Sequence, residues 1–228
     1  MQHPVGYVIN EERGRAELVD IGAVLFQNTA VATFAHTIPS AFFTAGAFVA
    51  GVSAWLLVKN REKAMAQSTA KLGLVTVIIT FVLITISGDW TARIMTEQQP
   101  MKMAAAEALY ETTDNAPFSL LTIGTLDQSR PVLQIDIPGL LSFMSTGDVN
   151  GVVEGINDLQ AQYEKQYGPG DYKPNIPLAY WGFRLMIGFG AIATFFALIT
   201  LWYLRKGKLP QSRWFLPAML SMPFLPIL

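Results

Sequence analysis

Four stretches of the chain run almost without charged residues: 21–58, 72–88, 176–204 and 214–228. A helix of about 20 apolar residues crosses the roughly 30 Å hydrocarbon layer of a membrane. The pattern therefore predicts three complete spans and one partial span. The second stretch is barely long enough, and the third crosses in spite of Arg184. The first is too long for one perpendicular crossing at ~1.5 Å per residue. Residues 21–30 are expected to enter as a helix along the interface, with the span itself running inward from near Ile38. Pro39 leaves the carbonyl of Ala35 without its helical partner, which predicts a kink beside His36.

Between the second and third spans lies a polar stretch, 89–175, too long for a plain turn. TEQQPMKMAAAEALYETT has high helix propensity, with Thr96 and Gln99 spaced as a capping box and Pro100 suited to an early helical position. VLQIDIP, around Asp136, alternates like a short strand. GDVNGVVEGINDLQAQYEKQYG reads as a second amphipathic helix, stopped by Gly168 and Pro169. A connection this long with elements of its own is usually functional.

Composition agrees with a membrane protein. The chain is 51% hydrophobic and only 14% charged, against about 25% charged in a soluble domain. Its formal net charge is −1, and it has neither a basic stripe nor a zinc-type spacing, which sets nucleic-acid binding aside. The absence of cysteine excludes disulfides, thiolate haem ligands and iron–sulfur clusters.

Charge also orients the spans. The connections 59–71 and 205–213 hold 8 of the 16 basic residues and one acid, Glu62. By the positive-inside rule both face the cytoplasm, so 1–20 and 89–175 face outward. The predicted fold class is all-α: a polytopic transmembrane helix bundle, three full spans plus one truncated span, with a large extracytoplasmic loop between the second and third. The start carries no signal pattern, and the last apolar run stops without a polar flank. The chain reads as an internal segment of a longer protein.

His36 is the only ionisable side chain between Asp20 and Lys59. An imidazole in or near hydrocarbon needs a partner, and intramembrane ionisable groups are functional by default. The residue pattern leaves two roles open, metal ligand and proton relay. Phe34, Phe42 and Phe43 beside it, with the small residues Ala35, Ala41, Gly46 and Ala47, suit a large flat ligand, although small residues also serve plain helix packing.

Lys102 and Glu107 would ordinarily be solvated charges on an exposed helix. Their i,i+5 spacing puts them about 140° apart, too far round for a simple ion pair. It suits two groups approaching one ligand from different sides, an ammonium to hold a quinol oxygen and a carboxylate to accept its proton. Glu111, one turn on, is placed to relay that proton. Arg184, at the outer boundary, is either a snorkelling arginine or a partner for an acidic group such as a haem propionate. Met186, Met219 and Met222 read as core residues.

MQHPVG, the His36 segment AHTIPSAFFTAGAFVAGVSAW, the pair Gly88–Asp89, QPMKMAAAEA and YWGFRLMIGFG, taken in order, resemble subunit I of the cytochrome bd-type quinol oxidases. The similarity covers essentially this whole chain and the middle part of a full-length subunit. It implies an integral oxidase of the bacterial plasma membrane that takes electrons from ubiquinol or menaquinol and reduces dioxygen to water. Protons released on the outer side would contribute to proton-motive force, and a second subunit would complete the enzyme.

The same resemblance makes His36 an axial ligand of low-spin haem b and puts Lys102 and Glu107 in the quinol-binding loop, here in a short form. It implies that the methionine partner of His36 and the ligands of a further haem b and of haem d lie outside the segment, which alone would be inactive. The competing function is a proton-coupled transporter with His36 as relay. A non-catalytic scaffold and a diheme cytochrome b are further rivals, the last disfavoured because the chain has only two histidines.

Overall fold

The computed structural model describes residues 4–125, 130–205 and 214–226. His3 and most of the connection 205–213, with Lys206, Lys208 and Arg213, lie outside the described residues. The chain divides into two compact units, Met1–Phe34 with Gly88–Arg184 and Ala35–Ser87 with Leu185–Leu228.

A hairpin of β1 (Tyr7–Asn10) and β2 (Arg15–Leu18) precedes the helices. The Asp20 carboxylate then accepts from the N–H of Ala23, at 2.9 Å, and starts α1 (Ile21–Phe26). The backbone is extended at Gln27 before α2 (Asn28–Val58) begins. The interfacial entry expected at 21–30 is thus two helices meeting at one non-helical residue. α3 (Lys63–Gln98) runs well past the apolar stretch 72–88 at both ends. The residues before Leu72 are good helix formers, and beyond the apolar stretch Arg93 pairs with Asp89 one turn back, at 3.0 Å. Hydropathy located the span but understated the helix.

α4 (Pro100–Glu107) follows, with Pro100 in its first turn as expected. The capping box does not form. Thr96 still belongs to α3 and spends its hydroxyl on the carbonyl of Ala92, while Gln99 makes no side-chain cap. Ala108 takes the left-handed conformation and ends α4. The predicted strand is β4 (Pro131–Ile137), paired antiparallel with β3 (Phe118–Gly124), which the sequence reading left unassigned. α5 (Leu140–Thr146) and α6 (Ile156–Tyr167) come next. α6 stops at Gly168 as predicted but starts later, because 147–155 is not helical. α7 (Ile176–Arg205), α8 (Phe215–Ser221) and a 3₁₀ turn, Met222–Phe224, complete the described chain.

α2, α3 and α7 are each long and apolar enough to cross a membrane, so the protein is a membrane protein dominated by helix. In the unit Ala35–Ser87 with Leu185–Leu228, the core is built largely of small residues: Ala47, Ala50, Ala54, Ala70, Ala193 and Ala197 surround Leu74 and Val77. The reason is close backbone approach. A Cβ on Gly73 would lie 2.6 Å from the carbonyl oxygen of Gly46, and one on Gly46 would lie 2.9 Å from that of Gly73.

Hydroxyls in this unit turn back on their own helix. Ser40, Ser53, Thr80, Ser87 and Thr200 each donate to the carbonyl four residues earlier, which satisfies polar groups where water is absent. Outward-facing Leu72, Ile79, Ile86 and Phe195 are exposed, the pattern of a surface solvated by lipid or by other helices. Pro39 lies inside α2, and the helix continues through it.

In the unit Met1–Phe34 with Gly88–Arg184, two apolar clusters hold the region between α3 and α7 together. Met101, Ala104, Ala105 and Tyr110 pack with Ile156, Leu159, Ile176 and Tyr180. Met103, Leu109, Ala116, Leu141 and Val153 form the second cluster. Because α4 contributes to both, its two faces are buried and its termini are held.

Candidate functional site

His36 is half-buried on α2. Its Nδ1 stands 3.2 Å from Oγ of Ser87 on α3. The Ser87 hydroxyl donates to the carbonyl of Leu83, at 2.8 Å, so toward the imidazole it acts as acceptor. With the hydrogen on Nδ1 toward Ser87, Nε2 keeps the lone pair a metal would take. Phe43 belongs to the core, while Phe42 offers an exposed ring one and a half turns on from His36. An oriented imidazole on a helix of otherwise low profile fits the axial ligand of a flat macrocycle. Ser87 was not singled out from sequence, since a serine in an apolar helix is an ordinary packing residue there.

Lys102 is exposed and lines a cleft of about 160 Å³ with Thr29, Ala32, Thr33, Thr91, Ile94, Met95, Gln98 and Gln99. Thr29, Ala32 and Thr33 come from α2, Thr91, Ile94, Met95 and Gln98 from α3, Gln99 from the turn, and Lys102 from α4. The volume matches the roughly 150 Å³ that an engineered cavity needs to take a single benzene ring. The lining supplies hydrogen-bonding groups on more than one side, including the Lys102 ammonium.

Glu107 does not line that cleft. It is almost wholly buried and faces Arg184, whose Nη2 and Nη1 donate to the two carboxylate oxygens at 2.5 and 3.4 Å. Nε of Arg184 donates to the carbonyl of Ser119 at 2.7 Å. The guanidinium carbon lies 4.4 Å from the ring centre of Phe118 and 4.9 Å from that of Tyr180. Tyr180 in turn shares a hydrogen bond of 2.9 Å with the Ser119 hydroxyl. Burial pushes the Glu107 carboxyl above the ordinary carboxylate range, while the hydrogen bonds and charge of Arg184 act in the opposite sense.

The structure therefore joins two residues that the sequence reading had given to different ligands, and separates two it had paired. Arg184 is neither snorkelling nor free: Glu107 and Ser119 hold it. Glu111, the expected relay, is exposed at the end of this segment and accepts from Nδ2 of Asn157 at 2.7 Å. Met219 and Met222 are core residues as expected, but Met186 is 53% exposed. That exposure corrects its assignment to the core of the described residues.

A family model described as cytochrome bd terminal oxidase subunit I matches residues 1–228. The chain is 37% identical over 230 residues to cytochrome bd ubiquinol oxidase subunit 1 of Bacillus subtilis (strain 168), covering 99% of this chain and 48% of that protein. It is 25% identical over 281 residues to cytochrome bd-II ubiquinol oxidase subunit 1 of Escherichia coli (strain K12), covering 98% and 55%. The second alignment is longer than the chain, so that relative carries insertions within the matched region. The bd oxidase from Geobacillus thermodenitrificans has the same fold, with a TM-score of 0.82 at 23% identity over 99% of this chain and 50% of that one. The chain spans about half the length of the curated relatives it matches.

Proposed function

The chain belongs to the cytochrome bd terminal oxidase subunit I family, and from that membership we propose that it forms the quinol-oxidising part of a membrane quinol:oxygen oxidoreductase. In this reading the whole protein, with its second subunit, passes electrons from ubiquinol or menaquinol to dioxygen, giving water. The region 89–175 faces outward from the bacterial plasma membrane, so protons released there contribute to proton-motive force.

One observation carries the reading. The Lys102 cleft, about 160 Å³, is comparable in size to one aromatic ring and carries an ammonium and further hydrogen-bonding groups in its wall.

The family implies haem, and the residues present suit it. His36 would hold a low-spin haem b through Nε2, with Ser87 keeping the ring in the right tautomer. Haem b supplies one-electron chemistry. Whether the oxygen site is served by haem d or by another haem b is decided by ligands other than these.

The protein's part is binding and proton handling. Quinol oxidation releases two electrons and two protons per ring. Lys102 donates to one ring oxygen and anchors the head group. Glu107 serves as proton acceptor, its carboxylate oriented by Arg184, and Glu111 passes the proton to solvent. Catalytic hydrogen bonds often form only with substrate bound, so the pairing of Glu107 with Arg184 does not remove it as the acceptor. Arg184 as a haem propionate partner remains a secondary proposal, since a guanidinium has five N–H donors.

Lys102→Ala in the full-length membrane enzyme is expected to impair quinol-driven oxygen consumption while the haem spectrum is retained. Turnover equal to wild type would remove the cleft from the mechanism.

A further inference from the structure

Thr29 on α2 donates its hydroxyl hydrogen to Oε1 of Gln98, the last residue of α3, at 2.9 Å. Both residues line the cleft that contains Lys102. An amide side chain has one acceptor atom and two N–H donors. With Oε1 engaged by Thr29, what Gln98 offers a ligand is its donor end. The backbone changes direction here, since Gln99 is non-helical before Pro100 opens α4. Gln98 and Lys102 are therefore delivered to one cleft by two different helices, which sets two donors at different points of its wall.

A quinone head group presents two acceptor oxygens on opposite carbons of one ring, and each gains a hydrogen in the quinol. One anchoring ammonium fixes one end of such a molecule and leaves the other free to swing. We propose that Gln98, with its amide orientation held by Thr29, binds the quinol oxygen that Lys102 does not take, and so sets the affinity for quinol. The proposal rests on the reading of this cleft as the quinol site. Gln98 is a binding residue, and Thr29 is a positioning residue that acts through it.

The test uses the full-length oxidase in its membrane complex, with a short-chain benzoquinol as reductant and oxygen consumption as readout. Gln98→Glu preserves the shape and the acceptor for Thr29 but removes the N–H donors. It is expected to raise KM for the quinol by about three- to tenfold, the worth of one hydrogen bond, with kcat within about twofold and the haem spectrum unchanged. Thr29→Val is expected to raise KM less, and to add nothing when placed on Gln98→Glu.

If Gln98→Glu does not assemble with haem, Gln98→Met carries the same expectation, being of similar length without donors or charge. An unchanged KM in the Gln98 variants, with Lys102→Ala impaired, overturns the role of Gln98 and leaves the quinol cleft standing. Wild-type behaviour in both the Gln98 and Lys102 variants overturns the cleft as well. An effect of Thr29→Val that simply adds to that of Gln98→Glu overturns the positioning role.

Discussion

Arg184 on α7 clasps Glu107 on α4 through two guanidinium N–H groups, across 77 residues of chain, with side-chain exposures of 10% and 2%. Neither group meets enough water to be stable alone. The carbonyl of Ser119 and the faces of Phe118 and Tyr180 complete the surroundings of the guanidinium.

Removing one partner strands the other as a buried charge, at a cost of about 3–5 kcal/mol. Glu107→Ala and Arg184→Ala are each expected to lower the unfolding temperature of the purified complex and to speed proteolysis of the segment between α3 and α7. The double replacement Glu107→Leu with Arg184→Met, which leaves no charge behind, is expected to recover much of that loss. Equal instability in single and double variants would show that packing, not charge, is what the pair supplies.

The burial that raises the Glu107 carboxyl has a consequence for pH. A proton acceptor works only when ionised, so quinol turnover is expected to fall as pH drops through the raised value. That fall comes at higher pH than for an ordinary glutamate near 4.3. Replacing Arg184 with Gln removes the opposing effect and is expected to move the acid limb further up. A pH–rate profile of kcat/KM checks both, and an acid limb insensitive to Arg184 would separate it from Glu107.

His36→Ala in the full-length protein is expected to abolish the low-spin haem b signal in a reduced-minus-oxidised spectrum. Ser87→Ala, which removes the acceptor for Nδ1–H, is expected to keep the haem but shift its midpoint potential and band position. An unchanged reduced-minus-oxidised spectrum in the His36 variant would reject the ligand assignment.

Gly46 and Gly73 let α2 and α3 approach until backbone meets backbone. Gly73→Ala places its methyl group 2.6 Å from the carbonyl oxygen of Gly46 and 2.9 Å from the amide nitrogen of Ala50, neither of which can turn aside. It is expected to cost about 1–3 kcal/mol, read as a lower unfolding temperature in detergent. Gly182, where a methyl would meet nothing within 4 Å, is the matched control, and Gly182→Ala should leave stability nearly unchanged.

How far the fold could be read in advance depended on whether a feature is local. Spans were legible because hydrocarbon thickness imposes an apolar run on the chain itself. Pro100 at a helix start, Gly168 at a helix end and the strand around Asp136 were legible for the same reason, since each is a rule about neighbours in sequence. The capping box at Thr96 failed because α3 kept its helical course past the polar residues, so the threonine bonded backward instead of capping forward. β3 escaped notice because a two-stranded hairpin takes its stability from its partner strand as much as from its own pattern.

The sequence by itself determined that this is a membrane helix protein and which family it resembles. Composition and ordered motifs survive without knowledge of contacts. Only the tertiary structure decided that Glu107 is paired with Arg184 and lies outside the cleft that Lys102 lines. It likewise decided that Lys102 shares a cleft with Gln98 and Thr29, and that Ser87 holds His36. A helical period says which side of a helix a residue occupies. What stands opposite is set by the rotation and register of another helix, and no spacing within one segment encodes that.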